Sequence, residues 1–225
     1  MRVRLVVLLA AALVGMVSLA GASSVTCRTG PGCLNGDDHF DWTANYGPAF
    51  NPIANGSTAT SVGGINAMVN FAGGGPGQRR DEGTGWTGNF SIGEELLWTN
   101  SPAQGPLTFN FATPVSGVGA QIETDFYGAF TAQICDNFGD CFQENGNSQP
   151  TEDGSAIFIG LANIPGITSA TFSVLSCSGD CKDFAINQMD VTGNAPPPVP
   201  EPSSVILLGT GLVGLGGAAR RRSGQ

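Results

Sequence analysis

The side chains of this sequence that could do chemistry are mostly carboxylates. Its 225 residues include 18 acidic residues, nine basic residues and a single histidine, His39. A histidine beside aspartates can act as a general base or a metal ligand, but no partner nucleophile stands near His39, so we expect it to pack at the surface or in a loop. The motifs G-x-S-x-G, H-E-x-x-H and S-x-x-K and the P-loop are absent. The sequence therefore gives no support to the enzyme classes that depend on these motifs.

Hydrolysis of a glycosidic bond is the reaction that this composition leaves open, since it needs only two carboxylates. Six acidic residues are candidates for such a pair, namely Glu94, Glu95, Glu123, Asp125, Glu144 and Glu152. Acidic residues this numerous also pair by chance. We therefore expect a protein that is not an enzyme, with a secreted glycan-active enzyme as the alternative.

Calcium is the cofactor that suits a carboxylate-rich secreted chain, because Ca²⁺ takes its ligands from loop carboxylates, amides and carbonyls. One possible set lies near the end of the chain and another lies between two cysteines: Asp180, Asp183 and Asn187, and Asp136, Asn137 and Asp140. No EF-hand pattern is present. Solvated loop carboxylates are the alternative for both sets, and apart from calcium we expect no cofactor.

The six cysteines fall into three local pairs, as expected for a protein that folds in an oxidising compartment. Proximity favours disulfides between Cys27 and Cys33, Cys135 and Cys141, and Cys177 and Cys181. A closed loop of about seven residues contributes roughly 2.4 kcal/mol in the chain-entropy model. Zinc binding is the competing interpretation, but the spacings do not match the usual paired C-x₂₋₄-C pattern.

The amino terminus has the three parts of a secretory signal peptide. Arg2 and Arg4 form a positive region, residues 5–19 an apolar region, and residues 20–22 read Ala-Gly-Ala. This order predicts a signal peptide over residues 1–22 that is cleaved before Ser23. A non-cleaved amino-terminal anchor is the alternative.

The carboxyl terminus combines a proline-rich segment, an apolar run and a basic cluster. Residues 195–202 form the proline-rich stalk, residues 204–219 carry no charge, and Arg220, Arg221 and Arg222 follow directly. With Ser203 the run spans about 25 Å as a helix, just enough to cross a bilayer. The arginines place the end of the chain in the cytoplasm and the preceding domain outside. We predict a transmembrane helix and basic tail over residues 203–225.

This tail resembles the sorting signal of the bacterial PEP-CTERM proteins, with Pro200, Glu201 and Pro202 as the Pro-Glu-Pro motif. The resemblance implies that an exosortase recognises this motif and processes the protein there. In that family, sorting usually accompanies secretion of exopolysaccharide. An ordinary single-pass anchor with a proline-rich stalk is the alternative interpretation.

Residues 23–194 remain as one domain, large enough to bury a core of its own. The exported part carries all 18 acidic residues but only four of the basic ones. Such a surface repels nucleic acid and anionic lipid, so we expect no nucleic-acid partner.

Short runs of β-favouring residues between Gly, Pro and Asn clusters predict an all-β fold with no helix. The predicted strands cover residues 40–46, 57–62, 65–72, 86–92, 107–111, 117–122, 127–135, 141–144, 156–161, 167–175 and 184–191, with a surface loop over residues 73–83. This pattern favours a β-sandwich, and within that class a jelly roll. Residues 107–191 also resemble the β-domain often found ahead of PEP-CTERM tails.

The sequence therefore predicts an exported protein that passes through the inner membrane and then reaches the cell surface or the extracellular matrix. A structural or weakly glycan-binding role, linked to exopolysaccharide, suits that place. Trp42, Trp86 and Trp98 could stack on sugar rings, although burial in the core is the commoner fate of a sandwich tryptophan.

Overall fold

The computed structural model describes residues 24–27, 30–100 and 103–193. The predicted signal peptide, proline-rich stalk, Pro-Glu-Pro motif, transmembrane helix and arginine cluster all lie outside these residues. Within the described part, none of the helices has the length and apolar character needed to cross a membrane.

The described residues are built from strands, which confirms the all-β prediction. Two short helices accompany them, a 3-10 helix at Pro31–Leu34 and an α-helix, α1, at Trp42–Tyr46. The strands are β1 Ser24–Cys27, β2 Asp38–Phe40, β3 Pro52–Ile53, β4 Ser57–Thr60, β5 Asn66–Phe71, β6 Gly77–Glu82, β7 Gly85–Trp86, β8 Glu95–Trp98, β9 Leu107–Thr124, β10 Gly128–Asp136, β11 Cys141–Ser148, β12 Ile157–Ser176, β13 Phe184–Ile186 and β14 Met189–Thr192.

All fourteen strands belong to one hydrogen-bonded sheet. Eight follow one another in the order β11-β10-β12-β9-β13-β8-β6-β3, and the others join at branch points along this path. Strands β9 and β12, of 18 and 20 residues, form the centre of the sheet. Each of them merges two predicted strands.

The two long strands divide the sheet into two halves. The first part of β9 pairs with β5 and with the end of β12, whereas its second part pairs with the start of β12 and with β13 and β14. The register of β9 and β12 shifts between Ala162 and Ser169, at the boundary of the halves. Irregularities of this kind bend a strand and increase its twist. The predicted jelly-roll order stays a prediction.

Side chains from both halves meet in one main core. Phe109 and Phe172 come from the first half and pack edge to face, with ring centroids 6.0 Å apart. Ile122 and Phe184 come from the second half and belong to the same cluster. A smaller cluster, formed by Trp86, Phe90, Leu96, Ala156 and Ala185, lies apart from it.

Three disulfides close short loops, and each joins the pair that the sequence predicts. The bonds link Cys27 to Cys33, Cys135 to Cys141, and Cys177 to Cys181. Cys135 and Cys141 are direct partners in the β10–β11 pair. The second disulfide therefore joins the two strands where the hairpin loop begins and ends.

Helix α1 occupies most of residues 40–46, where the sequence predicts a strand, so that prediction is wrong. Its N-cap is Asp41, whose carboxylate accepts a hydrogen bond from the Ala44 amide at 2.7 Å. The aromatic residues of this segment favour a strand. The cap satisfies an amide of the first helical turn instead, and the buried Trp42 indole donates to the Asn187 carbonyl at 2.8 Å.

The loop predicted over residues 73–83 is wrong in its second half, because Gly77–Glu82 forms strand β6. Arg79 and Glu82 are both buried there. The sequence pattern missed this strand because strands are recognised by alternating apolar residues, and here charged residues occupy buried positions. The strand predicted over residues 86–92 is wrong beyond Trp86, where a loop leads to the unpredicted strand β8.

Candidate functional site

The second half of the sheet has an outer face that the main core does not cover. Side chains alternate between the faces of a strand. On β9, Ile122 belongs to the main core, whereas its neighbours Gln121 and Glu123 do not. On β8, Leu97 belongs to the main core and Leu96 to the smaller cluster. This outer face thus has an apolar centre with polar groups around it.

A polar cleft of about 660 Å³ lies at one end of this outer face. Six of its lining residues carry a carboxylate or an amide: Glu94, Gln121, Glu144, Asn187, Gln188 and Asp190. They come from β9, β11, β14 and the segments that precede β8 and β14. The volume lies within the range of ligand pockets, which is about 300–1,000 Å³.

Asn187 is the centre of the hydrogen-bond network on the floor of the cleft. Its Nδ2 donates to Gln121 Oε1 at 2.7 Å and to Glu94 Oε1 at 3.3 Å, and its Oδ1 accepts from the Gln121 amide at 2.8 Å. Gln121 Nε2 donates to the carbonyls of Gly154 and Ala156. Both amide groups therefore have their donors in use, which fixes their positions.

Asp190 is a half-buried carboxylate at the side of the cleft. Burial raises its pKa, while a hydrogen bond from Gln188 and the nearby His39 oppose that change. His39 is the direct partner of Asp190 in the β2–β14 pair. The single histidine thus lies beside a wall of the cleft, in a packed strand rather than in a loop.

The six predicted carboxylates do not share one site. Glu94 and Glu144 line the cleft. Glu95 accepts a hydrogen bond from the Thr43 amide at 2.8 Å and lines another cavity.

Asp125 interacts with Arg80, and Glu123 is buried. Glu152 lies in the loop before β12 and interacts electrostatically with Glu82.

Glu82 and Glu123 form a buried acidic pair under the loop that follows β7. Glu82 Oε1 accepts from the Gly88 amide at 2.8 Å, and Glu123 Oε2 accepts from the Asn89 amide at 2.7 Å. The remaining oxygens, Glu82 Oε2 and Glu123 Oε1, are buried without a hydrogen-bond partner. Burial raises the pKa of both groups, and for Glu82 the charge of Glu123 raises it further.

The first predicted calcium set does not converge. Asp183 and Asn187 flank strand β13, so their Cα atoms are about 13 Å apart at the rise of an extended strand. The Asp183 carboxylate accepts from the Trp98 indole, and Asp180 binds the Lys182 amide. Within the described ranges, no group of three or more His, Cys, Asp or Glu residues is arranged to hold a metal ion.

The second predicted set is part of the β10–β11 hairpin. Asp136 accepts from the amides of Phe138 and Asp140, and Asn163 Nδ2 donates to both aspartates at 2.8 and 3.0 Å. Asn137 Oδ1 instead accepts from the Thr168 amide. The two aspartates therefore meet on Asn163, and Asn137 holds the loop against β12.

The tryptophans are mostly packed inside the molecule. Trp42 is fully buried and Trp86 is 4% exposed, so these two have the commoner of the two expected fates, burial in the core, and are not available to stack on sugars. Trp98 is half-buried, and the Arg80 guanidinium lies 4.6 Å from its ring centroid. Burial raises the pKa of Asp183, the partner of Trp98, to about 6.

Sequence reasoning missed Gln121, Gln188 and Asp190 as residues of one site. Gln121 alternates with apolar residues in β9. This pattern indicates that its side chain lies on a polar face, but it does not indicate which residues of other strands lie next to it. Only the pairing of β9 with β13 and β14 brings it next to Asn187 and Asp190.

Comparison with known proteins identifies the tail. None of the curated proteins matches the chain. Residues 198–222 match the protein-family model of the PEP-CTERM protein-sorting motif, which confirms the predicted resemblance of the tail to PEP-CTERM sorting signals. The chain therefore carries a PEP-CTERM protein-sorting motif at its carboxyl end, which makes it an exported protein that is sorted by an exosortase.

Proposed function

We propose that the exported domain binds a glycan in the polar cleft, as a non-catalytic protein of the cell surface or the extracellular matrix. The observation that carries this proposal is the fixed network on the cleft floor, where Asn187 holds Gln121 and Glu94 in place. A ligand then meets polar groups that are already ordered, and less side-chain entropy is lost on binding.

The chemistry of the cleft wall suits sugar hydroxyls. The floor amides have their donors in use, whereas carboxylates of Glu94, Glu144 and Asp190 line the same space. Carboxylates accept hydrogen bonds, and bonds to charged groups are stronger than those to neutral groups. Each carboxylate oxygen can accept more than one hydrogen bond, so a hydroxyl-rich ligand can donate to Glu94 and Asp190 in addition to the bonds that these two already accept.

The charge of the cleft selects against anionic polymers. No lysine or arginine is among the described residues that line it. A polymer of sulfated or carboxylated sugars would meet like charge with no cation between them. The proposed ligand is therefore a neutral or amino-bearing polysaccharide.

Weak binding at each site is enough for this role. Many copies of an exosortase-sorted protein on one surface contact one polymer at several points, and such multivalent contact raises the overall affinity. The proposed link to exopolysaccharide rests on this reasoning and on the tail, because sorting of this kind usually accompanies polysaccharide secretion.

A glycan array tests the proposal with the full chain, purified in detergent. We expect binding to neutral or amino sugars, and the Asp190→Asn and Glu94→Gln variants should each weaken it about 10- to 150-fold, because loss of a charge-assisted hydrogen bond is worth about 1.5–3 kcal/mol. Gln143→Ala, an exposed position on β11, is the control. The array is read with and without calcium, because calcium binding by this protein is still a prediction. Binding to no glycan, or equal binding by all variants, contradicts the proposal.

Hydrolysis is the second candidate function, and the raised pKa of Asp190 is the observation that favours it. A glycosidase needs one carboxyl group that stays protonated and one that is ionised. Asp190 would supply the first, and Glu94 or Glu144 in the same cleft the second. Release of short sugars from the host's polysaccharide by the wild-type protein, and none by Asp190→Asn, would establish this function in place of the non-catalytic one.

A further inference from the structure

One edge of the sheet is formed by strand β11. Within the described residues, β11 pairs only with β10. Five other strands of this part also have a single partner, but they are two to four residues long: β1, β2, β3, β4 and β7. Strand β11 has eight residues. It is therefore the long edge strand of the described sheet.

The pairing with β10 determines which main-chain groups of β11 face outward. In an antiparallel pair, hydrogen-bonded positions alternate with positions that have no hydrogen bond. The Asp136 amide donates to the Asp140 carbonyl at 3.0 Å, so this is a hydrogen-bonded position. The register continues from there without a shift. Every second residue of β11 is therefore not bonded to β10, and these residues include Gln143, Asn145 and Asn147.

These three residues offer six main-chain groups that have no partner. Gln143, Asn145 and Asn147 are exposed, and within the described part of the chain neither their N–H nor their C=O groups form a hydrogen bond. Each residue thus presents one donor and one acceptor to the solvent. Such a row of unpaired groups is a template to which another strand can add.

Strand β11 lacks the features with which proteins usually protect a sheet edge. Those features include short length, lysine or proline on the edge, and bulges. The strand reads Cys-Phe-Gln-Glu-Asn-Gly-Asn-Ser, with neither lysine nor proline. Its register with β10 is continuous over all eight residue pairs, so there is no bulge. The side chains of the three outward-facing residues are uncharged amides. This edge is therefore open to pairing.

We propose that β11 is an interaction surface for a second copy of this chain, which adds its own β11 antiparallel to the first. In a register centred on Asn145, this residue lies opposite itself, and Gln143 of each copy lies opposite Asn147 of the other. The six groups of each edge then form six hydrogen bonds between the copies. An antiparallel edge of this kind is complementary to itself because it carries equal numbers of donors and acceptors.

The charges of the chain suit this way of meeting. The 18 acidic residues far outnumber the basic ones, so two copies repel each other over much of their surface. Glu144 is the single charged residue of β11. In the proposed register it lies opposite Gly146 of the other copy. Like charges directly opposite each other destabilise a strand pair, and this register avoids such a contact.

The proposed interface is small, since it joins one strand from each copy, whereas stable complexes bury about 800 Å² per partner. We therefore expect weak association that depends on protein concentration. The sorting tail directs copies to the same surface, where a high local concentration strengthens weak contacts. Pairing through β11 then links neighbouring copies into pairs.

A proline at the centre of the edge tests the main-chain pairing. Asn145→Pro removes an N–H that points away from β10, and edge strands tolerate proline at such positions. By symmetry, each pair of copies loses two hydrogen bonds. At about fivefold per bond, association should become about 30-fold weaker. Asn145→Ala keeps the N–H and should associate as the wild type does.

Sedimentation velocity of the full chain in detergent, over a range of concentrations, measures the dissociation constants. Any association through the tail is the same in all three proteins. Circular dichroism checks that the proline variant is folded.

Cysteine cross-linking tests the register. In the proposed register, residue 145 lies opposite itself at about 5.5 Å between Cα atoms, which is within the range of a disulfide. Residue 147 lies about 13 Å from its own position along the paired strands. Asn145→Cys should therefore give disulfide-linked dimers on a non-reducing gel after mild oxidation. Asn147→Cys, the same replacement on the same edge, should give none.

Three results would overturn the proposal. The first is a wild-type protein that stays monomeric at every concentration. The second is equal association of Asn145→Pro and wild type, which would show that the copies meet on another surface. The third is cross-linking by Asn147→Cys and none by Asn145→Cys, which would reject the register centred on Asn145. Glycan binding in the cleft does not depend on any of these results.

Discussion

At the scale of single residues, the most unusual feature is the buried pair of Glu82 and Glu123, each of which is 1% exposed. Neither has an ion-pair partner among the described residues. Each carboxyl group instead accepts a backbone amide of the loop that follows β7. Burial without a counter-charge favours the protonated form.

This arrangement makes the stability of the fold depend on pH. The folded state raises the pKa of both groups, so it binds these protons more tightly than the unfolded state does. The resulting stabilisation is fully present below the unfolded value, about 4.3 for glutamate. It is lost as the pH rises through the raised values of the folded state.

Replacement of either glutamate by glutamine should therefore raise the melting temperature at neutral and alkaline pH, because the amide carries no charge to bury. The difference from wild type should vanish near pH 4. Gln143→Ala, at an exposed position of β11 that carries no titrating group, is the control and should leave the pH profile unchanged. Thermal unfolding followed by circular dichroism across the pH range measures both effects. An equal slope with pH in the variants and wild type would rule out this role of the pair.

At the scale of secondary structure, α1 shows how a local signal fixes a larger arrangement. The helix has five residues and only Trp42 is buried. Its ring stacks on Phe109 at a centroid distance of 5.9 Å, and its indole N–H binds the carbonyl of Asn187. The helix therefore joins the main core to the floor of the cleft.

Loss of the cap should weaken this connection. Asp41→Ala removes the hydrogen bond to the Ala44 amide, and we expect the free energy of unfolding to fall by about 1 kcal/mol, within the usual range of about 0.5–2 for such caps. Urea denaturation measures the change. Asn147→Ala, at an exposed position of β11, is the control. If the two variants are equally stable, the cap does not hold the helix in place.

At the scale of the whole molecule, the chain combines an acidic all-β domain with a tail that directs it to an exosortase. The domain carries the acidic charge and the polar cleft, and the tail determines where the protein is located. The two parts are separate in sequence, so they can be changed independently.

A substitution in the tail should change the location of the protein without changing its fold. Glu201→Ala should give an unprocessed form that stays in the membrane fraction, because the acidic residue of the Pro-Glu-Pro motif is lost. Mass spectrometry of the protein from cell fractions gives the measurement, and Ser223→Ala beyond the arginines is the control. If the wild-type protein still carries residues 204–225 after export, processing at the motif does not occur.

The sequence by itself determined those features that depend on residues close together in the chain. The disulfide pairs follow from cysteines that are four or six positions apart, and the sorting tail follows from contiguous residues. The all-β class follows from alternation and turn residues, each of which acts within one strand. Strand β6 was missed because its buried charges, Arg79 and Glu82, break that alternation.

Only the tertiary structure decided which polar residues share a site. Gln121 and Asn187 are 66 positions apart and hydrogen-bond to each other, while Asp183 and Asn187 are close in sequence but lie at opposite ends of a strand. A carboxylate or amide has the same local preferences wherever its partner lies. The pairing of distant strands therefore sets the cleft and the buried pair of glutamates, and no spacing along the chain encodes them.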